Sequence, residues 1–329
     1  MQKNFWITVI VVISHIIFFR NYAHGQQSNE KCRQIPYSNP GKDRIPYRVE
    51  RIEGQAVFAF VSQKEEILAG GICLVLFDEK DKKPVAVTTT NDTGQFELTE
   101  VAPGTYTLLA SVENEELKKI VLPIRLGATK ARERQGFLLH LRSKEDSRNS
   151  YATIIRNQEL REELLRMIKL DQSVRIGVDH RDPAIQEKMR SIDEANLSRL
   201  KEILQKYGWP GPGLVGKDGA EAAFFIVQHA DYTFQKKMLP LIRKEYLAGR
   251  LAGSNYALLL DRVLVHEGKA QIYGTQAKHI EHWSGNEPVL EPIKDEANVD
   301  KRRAKLHMPP LSEYRETLKK MYLPQLQKK

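Results

Sequence analysis

Cysteine is nearly absent from this 329-residue chain, in which only Cys32 and Cys73 occur. So few thiols exclude a disulfide-dense scaffold, and two cysteines at this separation carry no zinc signature. In an oxidising compartment the pair forms a single disulfide. Alternatively, Cys73 in the run 72-ICLVLF-77 is only a small buried hydrophobic residue.

The familiar catalytic signatures are also missing. The chain has no G-x-S-x-G elbow, no H-E-x-x-H pair, no phosphate-binding loop and no dinucleotide-binding glycine pattern. The net charge is +9, but acidic and basic residues alternate through most of the chain. Such a mixed surface is typical of a solvated protein, so no nucleic-acid partner is expected.

One long apolar run is present, and it lies at the N-terminus. Lys3 precedes the apolar segment 5–19, and the small-x-small sequence 23-AHG-25 follows it. This layout predicts a signal peptide over residues 1–25, with an uncleaved membrane anchor as the alternative. We therefore expect an exported protein, periplasmic or extracellular, whose only membrane contact is the leader if it is not cleaved.

The next part of the sequence predicts β structure. Residues 26–48 are polar and contain prolines, which indicates a linker. Short alternating runs separated by turn residues then predict an all-β sandwich over 49–142, of transthyretin or immunoglobulin type. Its expected strands are 50–61, 72–77, 84–90, 95–99, 105–112, 117–124 and 136–142.

Several segments of this region carry a resemblance to a known family. The stretches 69-AGGICLVLFD-78, 88-TTTNDTGQFEL-98 and 101-VAPGTYTL-108 resemble a carboxypeptidase-regulatory-like, transthyretin-like domain. The resemblance implies a spacer or adhesion module in an exported protein. The Asn and Asp residues of these stretches are explained as turn formers.

The remainder predicts a second domain. Residues 143–156 are charged and begin without apolar periodicity, which indicates a hinge. From 157 the apolar period becomes helical, which predicts a mainly α-helical domain over 157–322. Its expected helices are 157–170, 189–207, 218–230, 233–248, 254–261, 298–306 and 311–322. The β-like runs 262–266 and 270–274 predict one β-hairpin.

Five short elements of this domain combine unusual polarity with apolar surroundings. They are 171-DQSVR-175, 208-GWP-210, 228-QHAD-231, 261-DRV-263 and 273-YGTQ-276. In this order they resemble a family of uncharacterised bacterial domains, over roughly residues 157–322. That family has no established reaction, so the resemblance implies membership and no mechanism.

His229 is the residue with the clearest chemical potential. The helix that ends in it is apolar nearly all round, so the imidazole is expected to be buried and to need hydrogen-bond partners. Asp231 lies two residues further, about 200° round a helix, and cannot orient His229. We predict that Asp231 caps the next helix, and that the carboxylate partner of His229 is Asp171 or Asp261.

Three interpretations of these residues remain open. In the first, the domain binds a polar ligand or partner through a pocket that includes Arg175, Gln228, Arg262, Tyr273 and Gln276. In the second, the same pocket is a hydrolase-like active site with His229 as general base and Asp171 and Asp261 as further catalytic candidates. In the third, His229 is a satisfied core histidine.

No metal and no cofactor is expected. His180 lies between two aspartates, but the second of them, Asp182, and Pro183 more simply begin a helix.

Overall fold

The computed structural model describes residues 29–41, 44–59, 66–112, 117–127, 134–176, 178, 182–279 and 282–326. The predicted signal peptide and His180 lie outside these residues. The described chain divides into two compact units. One contains the residues up to 162 together with 213–216, and the other contains 163–212 and the residues from 217 onward.

The first unit is a β-sandwich, as the alternation of apolar residues predicted. Its strands are β1 (Tyr47–Val49), β2 (Ile52–Ala59), β3 (Glu66–Leu68), β4 (Cys73–Asp78), β5 (Pro84–Thr89), β6 (Gln95–Leu98), β7 (Gly104–Ser111), β8 (Ile120–Leu126), β9 (Gly136–Leu141) and β10 (Tyr151–Ile155). One sheet has the order β1-β8-β7-β4-β5. The other has the order β10-β9-β2-β3, and β6 also pairs with β2. The inward residues of both sheets form the core.

Close backbone packing in this sandwich requires glycine at one position in particular. Strand β2 pairs in parallel with β9, and Gly54 lies opposite Phe137. A Cβ atom on Gly54 would stand 2.0 Å from the Phe137 carbonyl oxygen. The absence of a side chain therefore permits the two strands to approach each other here.

The structure corrects two predictions at the edges of the sandwich. The predicted linker 26–48 contains a short helix, α1 (Asn29–Arg33), and the first residues of β1. The predicted hinge 143–156 contains β10, which pairs antiparallel with β9 from Tyr151 to Ile155. The charged residues before Tyr151 hid this strand, because only the final residues of the segment are apolar.

The two cysteines meet at one face of the sandwich. Cys32 of α1 and Cys73 of β4 form a disulfide, the pairing that the sequence left open. Both residues are buried, and they pack with Val75, Phe77 and Leu109. The disulfide thus ties the segment that precedes the sandwich to a central strand.

The second unit is mainly helical. Its helices are α2 (Gln158–Ser173), which begins in the first unit, α3 (Pro183–Tyr207), α4 (Pro212–His229), α5 (Tyr232–Leu247), α6 (Gly253–His266), α7 (Val299–Lys305) and α8 (Leu311–Leu326). Within the described ranges, none of these helices is both long and apolar enough to cross a bilayer. Helix α4 buries Ala223, Phe224 and Val227 completely, as its all-round apolar sequence predicted.

The predicted β-hairpin is wrong. Residues 262–266 form the last turns of α6, and the following segment makes only isolated bridges, Gln271 with Ile293 and Ala277 with Leu290. Val263 and Val265 favour a strand by local propensity. Tertiary packing overrides that propensity, since α6 buries Ala257, Leu259 and Val263.

Candidate functional site

The end of α2 and the turn that follows it supply two charged residues to a buried cluster. Asp171 and Arg175 are four positions apart, so they share one side of a helical turn. Arg175 Nη2 lies 3.0 Å from Asp171 Oδ1, and Arg175 Nε donates to Asp171 Oδ2 at 3.3 Å. The Asp171 side chain is 1% exposed and that of Arg175 is 7% exposed. The pair is therefore a desolvated ion pair, in which each charge depends on the other.

His229 enters the same cluster from the end of α4. Its Nδ1 lies 2.8 Å from Asp171 Oδ1, and its side chain is 6% exposed. The helix ends at His229 because Ala230 has an extended backbone, and Asp231 is the N-cap of α5. The Asp231 side chain accepts a hydrogen bond from Phe234 N, so the prediction that Asp231 is a helix cap is confirmed.

The hydrogen bond to Asp171 decides which nitrogen of His229 carries the proton. An ionised carboxylate only accepts, so Nδ1 must donate and Nε2 keeps its lone pair. Arg175 Nε is 3.2 Å from Nδ1 as well. Two donors cannot bond each other, so the hydrogen of Arg175 Nε belongs to Asp171. Among the described residues, Nε2 is buried and has no hydrogen-bond partner.

Burial favours the neutral form of the imidazole. Burial lowers the pKa of His229, and the neighbouring Arg175 and Arg262 charges lower it further against the opposing effect of Asp171. Burial alone would raise the pKa of Asp171, but the contacts with His229 and Arg175 outweigh it and the pKa lies below its usual value. The pair is thus a neutral imidazole beside a carboxylate anion.

A second carboxylate, Asp193 of α3, completes the cluster. Its Oδ1 pairs with Arg175 Nη2, the same nitrogen that contacts Asp171. The Asp193 side chain is 27% exposed, so it is the member of the cluster nearest to solvent. Burial, aided by the negative Asp171, raises the pKa of Asp193 to about 7 despite the charge of Arg175.

Sequence reasoning missed Asp193. It stands in a helix in which many exposed positions are charged, and its approach to Arg175 depends on how α3 packs against the turn that follows α2. The only local signal was Asn196, a polar residue at helical spacing between Ile192 and Leu200. The structure shows that all three residues are buried. A polar stripe of this kind beside an apolar face could have marked the position.

The cluster includes the atoms that a metal site would need. One ligand atom each from Asp171, Asp193 and His229 lie within 4.8 Å of one another. The guanidinium of Arg175, however, already contacts both carboxylates and supplies the positive charge that a cation would bring. We therefore assign no metal to these residues.

Two further predicted residues, Gln228 and Arg262, meet at the end of α4. Arg262 Nη1 donates to the Gln228 carbonyl oxygen at 3.2 Å, and Gln235 Nε2 donates to the same oxygen at 2.9 Å. The Gln228 side chain is fully buried, and neither of its amide atoms has a hydrogen-bond partner among the described residues. The side-chain amide of Gln228 is therefore buried, as predicted, but it does not bond to the side chains of Asp171, Arg175 or His229.

Of the two carboxylates that the sequence left open, Asp171 is the partner of His229 and Asp261 is not. Its carboxylate accepts hydrogen bonds from the backbone N–H groups of Ile272 at 2.7 Å, Tyr273 at 3.1 Å and Thr275 at 3.1 Å, and from the Thr275 hydroxyl at 3.0 Å. It is fully buried and organises the segment after α6. Burial raises its pKa, and these hydrogen bonds oppose the shift.

Tyr273 and Gln276 belong to this second network as well. Gln276 N donates to Gln271 Oε1 at 2.8 Å, and Gln271 Nε2 donates to the Gln276 carbonyl at 3.0 Å. Gly274 has a positive φ of 68°, and a Cβ there would lie 2.8 Å from Leu311 Cδ1. The predicted single pocket is therefore divided, because these residues hold a loop in place while Asp171, Arg175 and His229 meet elsewhere.

The molecule is thus a two-domain protein with a β-sandwich and a helical domain that encloses an Asp–His–Arg cluster. Residues 158–327 match the model of a family of unknown function, DUF6624. Since the match covers more than half of the chain, the chain belongs to this family. Residues 52–137 match the model of the BOS complex subunit NOMO1-like, second beta sandwich domain. No curated protein matches the chain.

Proposed function

We propose that the helical domain carries an acid–base catalytic site of hydrolase type, with His229 as the general base. The observation that supports this proposal is the orientation of the imidazole. Asp171 accepts the Nδ1 proton at 2.8 Å, while Nε2 is left without a partner among the described residues. A histidine fixed in this tautomer has a lone pair ready to take a proton.

Each member of the cluster has a distinct role in this proposal. His229 Nε2 takes a proton from the attacking hydroxyl or water. Asp171 stabilises the imidazolium that forms, as the carboxylate does in other carboxylate–histidine pairs. Arg175 keeps Asp171 ionised and in position, since it holds both of its oxygens. Because Nε2 is shielded from solvent, the side chains around it must move to admit a substrate.

The test uses the chain without residues 1–28 and a panel of chromogenic esters, phosphoesters, amides and glycosides. Replacing a general base lowers turnover by about 10²–10⁴-fold. We expect that loss for His229→Asn and no loss for the control His266→Asn, an exposed histidine that stacks on Tyr232. The proposal fails if no member of the panel is hydrolysed, or if His229→Asn retains the wild-type rate.

A measurement on stability separates catalysis from a purely structural histidine. If His229 only satisfies the core, its removal leaves Asp171 with one partner fewer and lowers the free energy of unfolding by roughly 1–3 kcal/mol. If it is a catalytic group, His229→Ala abolishes turnover and leaves the melting temperature nearly unchanged.

Recognition of a polar ligand without turnover is the second candidate function, and Gln228 favours it. A buried amide with both atoms unpaired costs about 1–3 kcal/mol for each atom, which a ligand with one donor and one acceptor would recover. Under this candidate, primary amides or sugars raise the melting temperature of the wild type and not that of Gln228→Leu. This candidate is refuted if no primary amide or sugar in the library raises the melting temperature of the wild type.

We also propose that the protein is exported and that the sandwich acts as a spacer or adhesion module. The signal-like residues 1–25 and the Cys32–Cys73 disulfide support this location, because such bonds persist in oxidising compartments. N-terminal sequencing of the protein from cell fractions tests it. A reduced protein with an intact leader, found in the cytoplasmic fraction, would refute it.

A further inference from the structure

The guanidinium of Arg175 is shared between two carboxylates in very different surroundings. Nη2 contacts both Asp171 and Asp193. The Asp171 side chain is 1% exposed, whereas that of Asp193 is 27% exposed. Asp171 also holds the Nδ1 proton of His229. A chain of contacts therefore runs from a solvent-accessible carboxylate through one cation to the buried Asp171–His229 pair.

From this geometry we propose that Asp193 is a positioning residue that controls, from the solvent side, how strongly the Asp171–His229 pair holds a proton. The inference rests on the proposed function, since it assigns a regulator to the same site. Asp193 acts through Arg175 and need not contact the substrate. Its physical basis is competition between two anions for one guanidinium.

The direction of the control follows from the charges. When Asp193 is protonated, Arg175 serves Asp171 alone, withdraws negative charge from it and weakens its pull on the imidazole proton. When Asp193 is ionised, it draws Arg175 toward itself and adds a negative charge near His229. Asp171 then stabilises an imidazolium better, so His229 becomes a stronger base.

The remaining charges around the cluster do not reverse this direction. Asp171 faces Asp193 from α2, Arg175 from the turn that follows α2, and His229 from α4. Arg262 of α6 acts on His229 as a fixed positive charge. A guanidinium does not titrate in the range where Asp193 changes state. The pKa of Asp193, about 7, places that change near neutral pH.

The test is a pH titration of the ring nitrogens of His229 by ¹⁵N NMR, using the chain without residues 1–28. The variants are Asp193→Asn, which removes the charge and keeps the shape, and Asp193→Glu, which restores the carboxylate. Glu194→Gln is the matched control, because it removes one charge from the adjacent, exposed position of α3.

We expect the wild-type ring to report a second inflection near the titration of Asp193, and Asp193→Asn to lose it. The same variant should lower the pKa of His229 by about 1 unit, since a unit charge is lost within several ångströms. Asp193→Glu should recover part of the shift, and Glu194→Gln should behave as wild type.

The result also separates this inference from the proposed function. An unchanged His229 titration in Asp193→Asn overturns the inference, whatever His229→Asn does to turnover. A shift as large in Glu194→Gln overturns it too, because the effect would then be a general one of helix charge. If the titration shifts while His229→Asn keeps full turnover, the coupling stands and the catalytic role of His229 fails.

Discussion

Replacing Asp261 should reveal how much a single buried carboxylate contributes to the helical domain. Asp261→Ala leaves the backbone N–H groups of Ile272, Tyr273 and Thr275 without their acceptor. Each unsatisfied buried donor costs about 1–3 kcal/mol, and the entry of water recovers part of that cost. We therefore expect the free energy of unfolding to fall by about 3–5 kcal/mol.

The assay can be confined to the domain that contains Asp261. Among the described residues, tryptophan occurs only at Trp209 and Trp283, both in the helical domain. Urea unfolding of the chain without residues 1–28, followed by tryptophan fluorescence, therefore reports on this domain. The slope of the transition shows whether the variant still unfolds in one step.

The control is another aspartate of the same domain that accepts a single backbone hydrogen bond. Asp300 is exposed and accepts from Leu311 N at 2.7 Å, so Asp300→Ala should cost about 0.5–2 kcal/mol, as a lost helix cap does. If Asp261→Ala costs no more than this control, the assignment of Asp261 as the organiser of the loop is refuted.

Three further predictions concern the sandwich and the pH response. Gly54→Ala should destabilise the sandwich by about 1–3 kcal/mol or more, because the new Cβ meets the Phe137 carbonyl; faster hydrogen exchange in β2 and β9 would show it, and wild-type protection would contradict it. The disulfide spans 41 residues, so its reduction should lower the free energy of unfolding of the sandwich by up to about 4 kcal/mol through loop entropy. Denaturation with and without reductant measures this loss, and equal midpoints would refute it. The pKa of Asp193 is raised from 3.8 to about 7. Its contribution to the free energy of unfolding is therefore complete below about pH 4 and is lost as the pH rises to about 7. The melting temperature should show that fall in the wild type and less of it in Asp193→Asn, and parallel curves would contradict the assignment.

The sandwich could be predicted from the sequence because its signals are local. Alternation with a period of two places apolar residues on one face, and turn residues such as Asn91 and Gly94 end each run. The strands that were missed, β1, β3 and β10, are short or lie in charged segments. The partner of β1 is β8, which is distant in sequence, so no local pattern reveals that pairing.

The candidate site was predictable only in part. Helical geometry separated His229 from Asp231, and the polar elements 171-DQSVR-175 and 261-DRV-263 suggested Asp171 or Asp261 as its partner. The choice between these two depended on the end of α6, because the valines of 261-DRVLV-265 favoured a strand there. Once that segment is helical, Asp261 meets the amides of the following loop and leaves Asp171 to the imidazole.

The sequence by itself thus determined the two-domain order, the strand and helix periodicities and the family. Tertiary structure alone decided that Asp193 joins the cluster, that Arg175 is shared between two carboxylates, and that Tyr273 and Gln276 serve a separate network. The reason is physical. Backbone periodicity is encoded by neighbours along the chain, whereas the electrostatics of a buried site depends on which helices pack together.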